Sequence, residues 1–136
     1  MKIIKEYKHT GTGYNPYLIT GQWQVAKLNW LDGHSLDQMD NMEVHRKTDE
    51  VFILLCGTAV LIASSQSDGK GLFEVIKMEL GIIYNIPEGV WHNIAMEPDA
   101  QIIIVENSNT HLNDVEYTSL DNDIYCGLKQ QINETV

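Results

Sequence analysis

Two stretches decide how this chain reads: Glu43 to Gly57 (EVHRKTDEVFILLCG) and, further along, Gly81 to His92 (GIIYNIPEGVWH). In the first, Glu43 and His45 are two positions apart, so an extended strand turns both side chains to one face. Glu50 lies five positions beyond His45. That odd separation reverses its face unless the polar run Arg46-Lys47-Thr48-Asp49 makes a bend or bulge, which such a composition favours. Val51 to Leu55 is predicted to be a buried strand closed by a turn at Gly57. Phe52 and Leu54 share the parity of Glu50 and are expected to floor a small, mostly apolar pocket. In the second stretch, Ile82, Ile83, Tyr84 and Ile86 form an apolar strand that stops at Pro87-Glu88-Gly89. Proline second and glycine fourth suit a type I turn over Ile86 to Gly89. His92 then opens the next strand.

Outward from these stretches, further strands are expected. Gln22 to Trp30 alternates with a period near two, Gln24, Ala26, Leu28 and Trp30 on one side and Trp23, Val25, Lys27 and Asn29 on the other, and either face could line an interior. Thr58 to Ser64 and Leu72 to Leu80 are predicted strands of one hairpin, its loop Gln66 to Gly71 marked by an Asp-Gly pair. Residues 92–96 and 101–106 form the next pair, joined by Glu97-Pro98-Asp99-Ala100. Lys2 to Lys8 is a candidate first strand, and Gly11 to Tyr17, with Gly13, Asn15 and Pro16, reads as a loop. Leu31 to Asn41 is turn-rich, which makes His34 a solvated loop residue. The tail from Asn107 is polar, with a short helix expected at Cys126 to Asn133, and it could cover a barrel end or reach a neighbouring subunit. Glu106 and His111 are expected at the surface. Short strands broken by turn residues, with no helical period between them, predict an all-β sandwich or closed barrel and exclude a parallel α/β fold.

The chain has 136 residues, 43% hydrophobic and 21% charged, with a net charge of −10. That is room for one domain over 1–136, with a barrel core about 22–107 and a C-terminal tail 108–136. The acidic balance argues against nucleic acid or an anionic membrane as a partner, since both need a basic surface. The two cysteines are few, Cys56 is expected as a buried thiol, and both fit a cytoplasmic protein. No apolar run is long enough to span a membrane, and the N-terminus lacks the apolar core of a signal peptide.

The spacing His45, four residues, Glu50, six residues, Gly57 resembles most of the first cupin motif. Gly81, five residues, Pro87-X-Gly89, two residues, His92 resembles the second. Two spaced motifs in the right order, covering roughly residues 35–107, imply a cupin-type double-stranded β-helix, a small jelly-roll-like barrel with a metal or substrate site inside. The chain departs from the pattern in three places: Glu43 stands where the family has the first histidine, the preceding glycine is absent from its place, and Met96 replaces the final asparagine. The family resemblance also implies a homodimer, for which the strand around Ile3 to Tyr7 and the tail are the candidate pairing elements.

Imidazole nitrogens and carboxylate oxygens together suit zinc, iron, manganese or nickel. The expected ligands of a divalent ion are therefore Glu43, His45, Glu50 and His92. Glu43 and Glu50 are also the candidate catalytic groups, available for proton transfer where they do not coordinate. Phe52, Tyr84 and Trp91 are candidate walls of a substrate pocket, and Lys47 reads as a solvated turn residue. The leading expectation is a metal-dependent isomerase, lyase or oxygenase acting on a small polar metabolite, a hydroxy or keto acid or a sugar derivative. Two alternatives stand beside it. One is metal-free acid–base chemistry, similar to that of cupin epimerases or, over Tyr84 to Asn93, of ureidoglycolate-lyase-type cupins. The other is a barrel that binds a metal or small molecule without catalysis.

Overall fold

A computed structural model of the protein describes residues 2–66 and 71–136. Ten strands and two helices follow in order: β1 (Gly13–Ile19), β2 (Trp23–Asn29), β3 (Asn41–Val44), β4 (Glu50–Cys56), β5 (Ala59–Ser64), β6 (Phe73–Lys77), β7 (Ile83–Ile86), β8 (His92–Met96), β9 (Gln101–Asn107), α1 (Thr110–Asn113), β10 (Glu116–Ser119) and α2 (Asn122–Thr135). They form two five-stranded sheets, β1-β2-β9-β4-β7 and β10-β3-β8-β5-β6. Every neighbouring pair in them is antiparallel. The architecture is the all-β, jelly-roll-like double-stranded β-helix that the two motifs imply.

The core lies between the sheets. Ala26, Leu28, Phe52, Leu54, Ile102 and Ile104 face inward from the first sheet and meet Ala59, Leu61, Ile94 and Met96 of the second. The face of β2 that carries Gln24, Ala26 and Leu28 is thus the interior one. A second cluster sits on the outer face of the second sheet, where Met42, Val44, Val60, Ile62 and Ala95 pack against Leu128 and Ile132 of α2. With both faces covered, β8 is buried at every residue.

Several boundaries differ from the sequence reading. Residues 2–8 lie in no strand, and β1 runs instead from Gly13 through the expected loop. Pro16 is tolerated because β1 is an edge strand, where a missing N–H breaks no ladder, and the register shifts between Pro16 and Leu18. The tail contributes a strand the sequence did not announce, β10, paired with β3. Its helix is longer than expected, starting at the Asp121 side chain, which accepts from the Ile124 amide at 3.0 Å. The helix covers the outer face of the second sheet. Cys56 is exposed at the end of β4, where the register slips between Leu54 and Cys56, so the buried-thiol expectation fails. Cys126 is exposed as well, and neither cysteine is paired. Gly57 is needed twice over: its φ is +80°, and a Cβ there would sit 2.5 Å from the Ala100 Cα. β5 and β6 pair as expected, and the Asp-Gly turn expected between them falls within 67–70, outside the described residues. No helix among the described residues is long and apolar enough to cross a membrane.

Candidate functional site

Alternation along β3 and β8 brings the two motifs together. Met42 and Val44 are buried under α2, so Glu43 points to the interior side, with His45 two residues on. On β8, His92 lies in register with Glu43. Glu50 opens β4 opposite Ile86 of β7. The bend between His45 and Glu50 is held by Asp114, whose carboxylate accepts from the Arg46 and Lys47 amides at 2.9 Å each. Asp49, in the same bend, accepts from the Glu88 amide at 2.9 Å and from the Asn85 side chain at 3.2 Å. The turn after β7 sits one residue later than expected. The Val90 amide donates to the Pro87 carbonyl at 3.3 Å, which puts Gly89, at φ +78°, in the third position that favours glycine. The shift frees the Gly89 amide to donate to the His45 carbonyl at 2.7 Å, tying one motif to the other.

One donor atom each from Glu43, His45, Glu50 and His92 falls within 4.8 Å of the others. The buried Glu50 spans the two imidazoles, with Oε1 2.9 Å from His92 Nε2 and Oε2 3.1 Å from His45 Nε2. Glu43 Oε1 lies 3.8 Å from His92 Nε2, its side chain 27% exposed. Both rings are anchored through the other nitrogen: His45 Nδ1–H donates to the Asp114 carbonyl at 2.7 Å, and His92 Nδ1–H donates to the Val90 carbonyl at 2.8 Å. A carbonyl only accepts, so Nδ1 carries the hydrogen in each ring and Nε2 is the atom turned toward the carboxylates. A neutral imidazole so placed confronts a carboxylate oxygen with a lone pair. Either a proton on Nε2 or a cation shared by the cluster relieves that repulsion. His45 Nε2 is buried and makes no hydrogen bond. The donor set fits a divalent ion, since ligating histidines characteristically present Nε2 with Nδ1–H held by an acceptor. Nitrogen and oxygen atoms about 3 Å apart also match the edge of a coordination shell with bonds of about 2.1 Å.

Among the side chains themselves the charges are strongly coupled. Burial would raise the Glu50 carboxyl, but its contacts with His45 and His92 hold it well below the usual carboxylate range. Burial would depress His45, yet the Glu50 contact outweighs it and leaves the imidazole at about 9. His92 is raised by the same partner against the same opposing burial. Glu43 is pushed up by burial and then by the charge of Glu50. Glu106 is pushed up to about 9 by burial and by Glu50.

The cluster borders a cavity of about 370 Å³ whose walls include Glu43, His45, Phe52 and Ile104. Phe52 takes its expected place, edge-on to His92 with ring centroids 6.0 Å apart. The other two expected pocket residues do not. Trp91 adjoins His92 in sequence, and strand alternation therefore sends it to the opposite face, into the cluster under α2 with the Arg46 guanidinium 5.7 Å from its ring centroid. Tyr84 lines a separate groove of about 590 Å³ beside β6 and β7. Its hydroxyl accepts from the Glu79 amide at 2.9 Å. Glu74 is the one charged residue in that groove's described lining, so we place the chemistry at the smaller cavity.

Glu106, His111 and His34 were expected at the surface, and all three line the cavity. Glu106 is buried and 3.8 Å from His45 Nε2. Its Oε1 accepts from the Tyr14 hydroxyl and, at 3.3 Å, from Gln24 Nε2, which also lies 3.1 Å from His111 Nδ1. A signal for Glu106 was present in its parity: it continues the inward series Ile102, Ile104 along β9. Tyr14 and Asp114 had none, since one sits on an unanticipated strand and the other at the end of a four-residue helix.

No protein-family model matches the sequence, and no curated protein matches it. Solved structures do. One is an RmlC-like cupin family protein with a double-stranded β-helix fold from Methanocaldococcus jannaschii, 15% identical, with TM-score 0.57 over 82% of this chain and 96% of that one. Another is Streptomyces Pac13 with uridine, 10% identical, with TM-score 0.61 over 90% of this chain and 96% of that one; Pac13 is described as a nucleoside dehydratase. A third is KdgF from Halomonas sp., 13% identical, with TM-score 0.52 over 77% of this chain and 89% of that one. At these identities the likeness establishes the fold.

Proposed function

We propose that this protein, which has the cupin fold, is a metal-dependent enzyme acting on a small polar metabolite, an isomerase, lyase or oxygenase whose divalent ion is held by His45, His92, Glu50 and Glu43. The observation that carries the reading is the pair of Nε2 atoms turned onto Glu50 while both Nδ1–H groups are committed to carbonyls. A bound zinc, iron, manganese or nickel ion would act as a Lewis acid on a substrate carbonyl or hydroxyl. The chain's own residues do the rest. Asp114 and Val90 orient the imidazoles, and Phe52 and Ile104 exclude water from one wall. Glu43, facing the cavity, is placed to take or return a proton where it does not coordinate the ion.

A metal-free reading is favoured by the same Glu50 bridge, because imidazolium–carboxylate pairs also satisfy it and leave Glu43 and Glu106 as acids beside a raised His45. Elemental analysis of protein purified without chelator separates the two, together with melting temperatures before and after metal addition. Stoichiometric metal in the wild type, reduced in Glu43→Gln and lost in His92→Ala and Glu50→Gln, supports the metal centre. Wild type without metal, and without stabilisation by any of the four ions, overturns it. Glu43→Gln that keeps its metal but loses turnover makes Glu43 the acid–base group.

A further inference from the structure

The Glu106 carboxylate has two oxygens in different situations. Oε1 is held by the Tyr14 hydroxyl and Gln24 Nε2, whereas Oε2 is buried without a hydrogen bond. The side chain is only 1% exposed, and Oε2 lies 3.8 Å from His45 Nε2 on the wall of the same cavity. A buried polar oxygen left without a partner is costly whether or not it carries the proton, so a ligand in this cavity gains by supplying one. The rest of the lining restricts what that ligand can be. Asp32, Asp40 and Glu43 join Glu106 there, and the described lining holds no lysine or arginine. The positive charge at the cluster is already spent, on Glu50 where His45 is protonated and on Glu43 and Glu50 where an ion is bound, so a phosphate or carboxylate group meets the surplus carboxylates instead. Leu28 and Ile94 give an apolar wall suited to a carbon skeleton.

We infer that the cavity takes a small uncharged ligand bearing hydroxyl groups, a sugar, polyol or nucleoside, with one hydroxyl seated on Glu106 Oε2. This rests on reading the cavity as the active site, and it narrows the metabolite to the sugar-like class rather than the hydroxy or keto acids. A hydroxyl both donates and accepts, so it satisfies Oε2 in either protonation state of the carboxyl. The test is calorimetric titration of the protein as purified with paired probes: uridine against uridine monophosphate, ribose against ribose 5-phosphate, and xylitol against xylonate. At least one uncharged member is expected to bind, its charged counterpart at least about tenfold more weakly, and Glu106→Leu to cost a similar factor. The comparison within wild type stands even where Glu106→Leu does not fold, and Glu106→Gln, of nearly the same shape, gives an intermediate loss. Equal or tighter binding of the charged members overturns the inference, as does undiminished affinity in folded Glu106→Leu or no binding of any uncharged probe. Metal content of the same samples keeps the two claims apart. Uncharged probes bound by protein that neither holds nor is stabilised by any of the four ions would sink the metal centre alone, and anionic probes preferred by metal-loaded protein would sink this inference alone.

Discussion

At the scale of single residues, the site is a set of carboxylates and imidazoles too close to ionise independently. With no ion bound, His45 holds its proton to about 9, against 6.5 for the free side chain, and Glu106 holds its proton to about 9, against 4.5. In each case the folded state keeps a proton that the unfolded chain has already released. Stability from these groups is therefore complete below the unfolded values and is lost as the pH rises through about 9. Chelator-treated protein is expected to lose stability from about pH 4.5 through Glu106 alone and more steeply from about pH 6.5 to about pH 9, where His45 adds to it, with a slope of up to about 1.4 kcal/mol per pH unit for each proton held. Glu50, depressed by the histidines, acts in the other direction, and its contribution fades only in acid. Metal-loaded protein is expected to show a flatter profile, because coordination replaces the protons on Nε2. Denaturant midpoints measured across this pH range, with and without metal, check both statements. A metal-free profile that is flat from pH 6.5 to 9 would remove the charged His45–Glu50 pair.

At the scale of elements, α2 stabilises the molecule without touching the site. Leu128 and Ile132, four positions apart, are its buried residues, and they pack on the outer face of the second sheet. That face is the back of β3 and β8, the strands whose interior faces carry Glu43 and His92. Ile132→Ala and Leu128→Ala are each expected to cost about 2–5 kcal/mol of unfolding free energy through lost burial and the cavity left behind. Metal content and ligand affinity of the folded variants are expected to remain those of wild type. Denaturant unfolding paired with elemental analysis checks this; loss of metal at full occupancy of the folded state would mean that α2 sets the positions of β3 and β8. The bend between His45 and Glu50 behaves differently. Asp114 clamps it from outside through two backbone amides, so Asp114→Ala is expected to lower metal affinity by about 10–100-fold, the range for groups that orient ligands, with a smaller change in stability.

At the scale of the whole molecule, the open question is assembly. Of the two pairing elements expected for a dimer, residues 2–8 form no strand, and the tail pairs β10 with β3 and packs α2 on the second sheet of its own chain. The described edges leave a different place for it. β6 and β7 each end a sheet, and apolar side chains cluster at or near them, Leu72 84% exposed, Ile83 68% and Leu80 65%. We propose that two copies pair across this region, because exposed edge strands flanked by apolar side chains are what an interface covers. Light scattering is expected to give twice the chain mass, and Ile83→Lys to shift the protein toward monomer at a folding cost under about 0.5 kcal/mol, as for other exposed positions. A wild type that stays monomeric at every concentration removes the proposal.

The residues from 43 to 57 and from 81 to 92 were sufficient, by themselves, to determine an all-β chain and the four side chains that converge. Alternation along a strand is local, and the spacing of His45, Glu50 and His92 survives whatever packs around it. Period-two reasoning would also have placed Trp91 outside, opposite His92, and Glu106 inside, after Ile102 and Ile104. What tertiary structure alone decided was which faces were covered. β8 is buried on both sides because α2, far away in sequence, covers its back, and Pro16 sits in a strand because nothing pairs with that edge. The Asp114 clamp and the Tyr14–Glu106 contact join residues 68 and 92 positions apart. No local pattern encodes such a contact, because its partners meet only once the chain between them has folded.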